Sequence, residues 1–360
     1  NHATMHLMAE LFESHNKVNF EIFAFSFGPN KDDSWRDRVK LCFDEFFDVS
    51  LISDYQITLL AKEKEIDIAI DLKGYTHNSR PQIFSEGCAP IQVSYLGYPG
   101  TMGAKFIDYL IADRILIPKK EQKHYSEKIV YMPDSYQVNM SKRTISKSYF
   151  SRENLGLPEK GFVFCCFNNN YKVTPSTFAS WARILKAVDG SVLWLFETNS
   201  FSSSQLKKEA TKYGVHEKRL VFAKRLPVEE HLSRIQQADL FLDTFPYNAH
   251  TTCSDALRVE LPILTLMGKS FASRVAASLL ESIDLSELIV SSISEYESLA
   301  IELALNPKKL SNIKNKIATN ILSTSLFDSQ LFTKKLEEAY FKMNKTRQNN
   351  SKHQHIYIDH

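Results

Sequence analysis

No apolar run in this 360-residue sequence approaches the ~20 residues that a membrane-spanning helix requires. The amino terminus also lacks the basic, apolar and small-residue succession of a signal peptide. A soluble, cytoplasmic protein with no membrane partner is therefore expected. Excess charge is missing as well: 44 Lys and Arg stand against 42 Asp and Glu, a balance of +2, too small to mark a nucleic-acid surface. Cysteines are few and odd in number. Cys42, Cys88, Cys165, Cys166 and Cys253 lack metal-ligand spacing and read as reduced core thiols, in keeping with the cytoplasm. Cys165 and Cys166 would face opposite sides of one strand, which argues against a disulfide between them. A G-x-G-x-x-G fingerprint is absent, and so is any internal repeat of ~20 to 50 residues.

What is present is an ordinary globular balance, 43% hydrophobic and 24% charged, in a chain long enough for two separate cores. The stretch 239–278, DLFLDTFPYNAHTTCSDALRVELPILTLMGKSFASRVAAS, is the centre of the sequence. An apolar run of strand length at 240–243 is broken by Phe245-Pro246-Tyr247-Asn248, and Thr251 or Thr252 can cap the helix that follows. A helix start presents unpaired N–H groups and the positive end of the dipole, so an anion is the natural guest. His250, Thr251 and Thr252 add side-chain donors there, and Asp255, one turn on, can hold a ribose or orient a donor.

The chain opens with a helix at 4–14, where an α/β domain normally opens with a strand, so an upstream strand is expected to precede it. His2 and His6 stand four apart and would share one helix face if both are helical. A strand at 20–27, a polar loop at 31–38 and a helix-strand-helix succession lead to IDIAID at 66–71, a buried parallel strand by its β-branched content. PIQVSYLGYPGTMGA at 90–104 is a strand followed by a loop. Gly97, Gly100 and Gly103 there allow positive φ and close approach of a ligand, with Pro99 stiffening the turn. Strands at 108–112 and 127–132 complete a first domain, 1–145.

A second domain, 146–335, opens with the strand FVFCCF after Gly161. Asn168-Asn169-Asn170-Tyr171-Lys172 then precedes Thr174-Pro175, a cap with proline at the first helical position. Lys172 thus lies in a loop at the carboxyl end of a strand, the ligand edge of a parallel sheet. Strands at 192–196, 220–223, 240–243, 263–267 and 288–290 alternate with helices, the pattern of a doubly wound sheet. A last helix at 330–344 runs into 336–360, read as helix end and a mobile polar tail. Two α/β domains facing one another across a ligand cleft is the expected architecture.

DLKGYTHNSRPQIF, CAPIQVSYLGYPGTMGAKFIDYLIAD, FNNNYKVTPSTFASWARILKAV, EEHLSRIQQADLFLDTFPYNAHTTCSDAL and FASRVAASLL together closely resemble the catalytic region of glycosyltransferase family 41, from Asn1 to about Met343. That family holds protein O-GlcNAc transferases and Spindly-type O-fucosyltransferases. The resemblance implies a GT-B fold and inverting transfer of a sugar from a nucleotide sugar to Ser or Thr of protein acceptors, with no metal and no other cofactor. Lys172 matches the lysine that contacts the diphosphate and stabilises the leaving group. No Asp-x-Asp motif is present, so lysine and helix amides would stand in for a metal ion. His250, Thr251, Thr252 and Asp255 match the nucleotide-diphosphate site, Asn169 falls near the nucleotide, and His231 and Arg234 match a helix beside the base. Gly97, Pro99, Gly100 and Thr101 match the loop facing sugar and diphosphate. His2 matches an amino-terminal histidine once proposed as general base; positioning is the other role open to it.

Departures are visible. Asp67 stands where animal enzymes have a second histidine and Val228 where they have a nucleotide-binding lysine; the animal inter-lobe insertion and the tetratricopeptide repeats are not in this sequence. His250-Thr251-Thr252 resembles the GlcNAc-transferring branch, which favours UDP-GlcNAc over GDP-fucose as donor. A nucleotide-sugar-binding module without turnover is the other expectation.

Overall fold

The computed structural model describes residues 2–28, 33–148 and 150–360, so Asn1 and the start of the expected polar loop, Lys31 and Asp32, lie outside the described residues. The chain divides into two units, Asn1–Ser141 with Ser325–His360, and Lys142–Thr324.

In the first unit, α1 (Ala3–Ser14) turns Leu7, Met8, Leu11 and Phe12 inward. β1 (Phe23–Ser26) is followed by α2 (Ser34–Lys40), which takes over most of the span expected as polar loop. Asp33 caps that helix by accepting from the Arg36 amide. β2 (Glu45–Asp48) pairs in parallel with β1 as a separate two-stranded ribbon. Then come α3 (Asp54–Glu63), held by a Ser53/Gln56 capping box, β3 (Ile68–Asp71), the single turn α4 (Gln82–Ser85), β4 (Ile91–Ser94), β5 (Tyr109–Asp113) and β6 (Lys128–Met132).

The second unit runs β7 (Val163–Cys166), α5 (Pro175–Ala187), β8 (Val192–Phe196), α6 (Ser200–Lys212), β9 (Leu220–Ala223), α7 (Val228–Ile235), β10 (Leu240–Leu242), α8 (Thr251–Arg258), β11 (Ile263–Leu266), α9 (Val275–Glu281), β12 (Ile289–Val290), α10 (Ile293–Leu305) and α11 (Pro307–Ser323). Its six strands are parallel in the order β12-β11-β10-β7-β8-β9. Strands covered by helices on both faces must be apolar on both faces, and every residue of VFCC in β7 is buried. Counted within the unit, the order is 3-2-1-4-5-6, which reverses between β7 and β10. Loops leaving the carboxyl ends of those two neighbours diverge to opposite faces and leave a crevice, the place where ligands bind in open α/β sheets.

The expected boundary at 335 and the mobile tail are both corrected. α12 (Ser329–Gln348) belongs to the first unit, where Glu337 accepts from the Asn16 amide at 2.8 Å and pairs with His15 at 3.0 Å. Beyond it, β13 (Ile356–Tyr357) adds in parallel to the edge strand β6, giving the sheet order β13-β6-β5-β4-β3. The Tyr357 ring stacks on Tyr131 at 4.9 Å, and the Gln122 amide donates to both hydroxyls. A polar stretch is ordered here because an open strand edge offers its backbone partners, which composition does not register. Among the described residues no helix is long and apolar enough to cross a membrane.

Candidate functional site at a strand-order reversal

Two loops leave the reversal point: 167–174 after β7 and 243–250 after β10. Both are pinned to the core. Asp243, fully buried, organises the second loop: its Oδ1 accepts from the amides of Thr244 (2.8 Å) and Ala249 (2.6 Å), and its Oδ2 from the Thr265 hydroxyl (2.7 Å). The Asp243 carbonyl in turn accepts from the buried Tyr296 hydroxyl at 2.9 Å. Thr177 at the start of α5 donates to the Phe245 carbonyl at 2.7 Å, tying the two loops together. Asn168 completes the bridge, donating to Thr244 Oγ1 (2.8 Å) and accepting from the Thr252 hydroxyl (2.5 Å).

Lys172 points into this frame. Its Nζ donates to the Asn248 carbonyl at 2.8 Å and lies 4.1 Å from the centre of the Tyr247 ring, on which the imidazole of His250 also stacks at 5.0 Å. Burial lowers the ammonium's pKa to about 8 even though the carboxylate of Asp243 opposes the shift. A cation held with one neutral acceptor and no direct carboxylate partner is undercompensated, and an anionic ligand relieves that. Beside it, α8 begins. His250, not a threonine, occupies the cap position and makes no side-chain cap bond, so Thr251 and Thr252 are the first residues of the helix. Their amides lack partners within the helix, as the first turn of any helix dictates, and among the described residues no other acceptor takes them. Burial and the charge of Lys172 hold His250 neutral, with its pKa lowered to about 3.

The base-side residues also cluster. His231 and Arg234 share α7; Arg234 Nε donates to His231 Nδ1 at 3.1 Å and its Nη1 to the Lys224 carbonyl at 2.6 Å. The ring of Phe167, at the end of β7, contacts His231 edge-on at 4.9 Å and lies under the Arg234 guanidinium at 5.5 Å. Burial lowers His231 to about 3 and Arg234 to about 10. Asn169 is exposed and starts the turn Asn170–Lys172. Asp255 is buried and bonded through Oδ1 to Arg143, a residue 112 positions away that no local pattern singles out. Asp243, Asn168 and Asn248 were likewise not singled out, although an Asp and an Asn just past apolar strands are where loop-organising groups stand.

The first unit corrects two expectations. His2 lies outside α1: it is the cap, its Nδ1 accepting from the Thr4 amide at 3.2 Å, whereas His6 is buried edge-on against Trp35 at 4.5 Å, so the two do not share a helix face. Burial and then Lys73 lower the pKa of His2. In the glycine loop only Gly103 has positive φ (60°); Leu96 carries another at 64°. Gly97 is required for packing, because a Cβ there would sit 2.0 Å from the Leu72 carbonyl oxygen, whereas at Gly100 the nearest atom would be a comfortable 3.5 Å away. Thr101 donates to the buried Glu127 at 2.6 Å, as does the Met102 amide to the other carboxylate oxygen at 2.6 Å, and the Gly103 amide bonds Thr101 at 2.9 Å.

Comparison with known proteins adds to this geometry. A family model described as Glycosyl transferase family 41 matches residues 1–148 and 139–336. The chain is similar to the probable UDP-N-acetylglucosamine–peptide N-acetylglucosaminyltransferase SEC of Arabidopsis thaliana, 39% identical over 349 residues that cover 95% of this chain and 36% of the plant protein. It is 26% identical over 460 residues to the UDP-N-acetylglucosamine–peptide N-acetylglucosaminyltransferase of Caenorhabditis elegans, covering 95% of this chain and 40% of that protein. The chain thus spans less than half the length of these relatives. Among solved structures, a lysine-to-methionine variant of the Thermobaculum terrenum O-GlcNAc transferase matches with a TM-score of 0.86 at 28% identity, covering 95% of this chain and 65% of that one. Anabaena HepE in complex with UDP and glucose, at 13% identity and a TM-score of 0.58, shares the fold alone over 89% of this chain and 91% of that one.

Proposed function

Because the chain belongs to glycosyltransferase family 41 and has the GT-B fold of Rossmann-like units, we propose that it carries the catalytic region of a protein glycosyltransferase, moving GlcNAc from UDP-GlcNAc to Ser or Thr hydroxyls with inversion and without a metal ion. The observation that carries this reading is the meeting of Lys172 with the open amides of α8 at the strand-order reversal. As the glycosidic bond breaks, negative charge grows on the β-phosphate oxygen. A desolvated ammonium and fixed N–H dipoles stabilise that charge with little reorganisation, which is the work a divalent cation does in metal-dependent transferases. Neutral His250 has a single N–H; its Nε2 lies 3.5 Å from the Ala272 carbonyl, and a diphosphate oxygen that displaces this long contact gains a further donor, while Asn169, His231 and Arg234 surround the nucleoside. Thr251 and Thr252 face the diphosphate.

The acceptor hydroxyl needs a base. His2 is assigned to the acceptor step, as base or as positioning group: burial and Lys73 hold it below the usual imidazole range, and its Nε2 has no partner among the described residues. Gly97, Pro99, Gly100 and Thr101 form the loop assigned to the sugar. The proposed setting is cytoplasmic, in keeping with five cysteines kept as buried free thiols. Titration of UDP and GDP against the protein tests the donor: UDP should bind at least tenfold tighter, and tighter GDP binding would move the assignment to a GDP-fucose donor. Radiolabelled transfer by the full-length gene product tests turnover; nucleotide binding with no label on Ser or Thr would leave a binding module.

A further inference from the structure

The segment that opens the second unit is strapped across the two helices of the donor site. The Ser146 amide donates to the Glu229 carbonyl of α7 at 3.0 Å, and the Ser233 hydroxyl of α7 donates to the Ser148 carbonyl at 2.9 Å. Arg143, at the head of this strap, reaches α8 and bonds one oxygen of Asp255; both side chains are almost wholly buried. Its charge adds, after burial and Arg234, to the influences that keep His231 of α7 neutral. Asp255 Oδ2 has no hydrogen-bond partner among the described residues. A carboxylate with one oxygen fixed by a guanidinium and the other open is a directed acceptor for a hydroxyl.

We propose that Arg143 is a positioning residue of the donor site, which clamps the Asp255 carboxylate so that its open oxygen accepts a hydroxyl of the nucleotide ribose. This rests on the reading of α7 and α8 as the nucleotide site. Without the guanidinium, Asp255 loses its hydrogen-bonded cation and keeps only the more weakly acting charge of Arg258 against burial. Burial favours the neutral acid, for which Arg143 is the largest opposing influence and Arg258 a further one, while Cys253 and Asp243 are the other titratable groups about this turn. The side chain would then also lose its fixed orientation.

Calorimetric titration of UDP and of 2′,3′-dideoxy-UDP into wild type, R143M and R143K tests the assignment. Wild type is expected to favour UDP by at least tenfold. R143M should lose about tenfold in UDP affinity while binding the dideoxy analogue within threefold of wild type, so that the preference collapses. R143K should recover part of it. A parallel loss of both nucleotides in R143M would mark a merely structural residue, and UDP binding within twofold of wild type would mark an idle one; either overturns the proposal. A wild-type chain that binds neither nucleotide would bring down the donor-site reading itself, and the role of Arg143 with it.

Discussion

The loop after β4 and the loops after β7 and β10 occupy the same topological position, the carboxyl ends of parallel strands, yet they treat their hydrogen-bonding groups in opposite ways. The glycine loop is closed on itself: Thr101, Met102 and Gly103 bond within the loop or to Glu127, and Gly97 exists to let Leu72 approach. The loops after β7 and β10 are equally rigid, but their rigidity comes from Asp243, Asn168 and Tyr296 behind them, which leaves the first amides of α8 without acceptors among the described residues and the Lys172 ammonium with a neutral carbonyl as its acceptor and its charge undercompensated. A polar group bonded within its loop builds the loop, whereas one held in place and left open can bind.

Lys172→Met breaks this comparison most directly. It should lower the transfer rate of the full-length protein by about 10²–10³-fold, the loss seen when one charge-stabilising donor is removed. The thermal midpoint should hold, since loss of the hydrogen bond to the Asn248 carbonyl and of the Tyr247 contact is offset by removal of a cation that burial disfavours. A wild-type rate would remove the lysine from the reaction. Next in size is Gly97→Ala, whose methyl group cannot fit against Leu72; it should cost about 1–3 kcal/mol of stability in denaturant titration. Gly100→Ala should be neutral, and UDP affinity of the folded protein unchanged in both. Equal losses at the two glycines would contradict the packing account.

Thr252→Val and Thr101→Val form a matched pair. The first leaves the buried Asn168 oxygen without its donor, at a cost of about 1–3 kcal/mol, and should weaken UDP binding severalfold because it loosens α8 against β7. The second leaves a Glu127 oxygen short of a donor and should lower stability while leaving UDP affinity unchanged. The smallest effect is in pH. With Lys172 titrating at about 8 in the free protein, UDP affinity should be level well below that value and fall as pH rises through it, since the ligand favours the ammonium form. About one unit above it, binding should take up a proton, seen as a dependence of the calorimetric heat on the buffer's ionisation enthalpy, and Lys172→Met should abolish the uptake.

Much of the second unit was legible in the sequence because its signals are local. VFCCF, SVLWL and DLFLD are apolar runs of strand length, Thr174-Pro175 is a cap, and Lys172 and His250 follow strand ends; all of these stand in the structure where spacing put them. The cap of α8 and the glycine loop were misjudged for one reason: Thr252 and Gly97 have partners, Asn168 and Leu72, that are remote in sequence, and local preference cannot register them.

Periodicity, strand length and turn chemistry by themselves determined that this chain alternates strands with helices and carries a lysine and a threonine-rich helix start at strand ends. Only the tertiary structure decided that β7 and β10 are neighbours, that Asp255 meets Arg143, and that 349–360 returns to the edge of the first sheet. Hydrophobic periodicity fixes which face of a segment is buried, but not which other segment buries it. That choice rests on strand order and on single buried polar pairings between residues far apart in sequence, where no local pattern reaches.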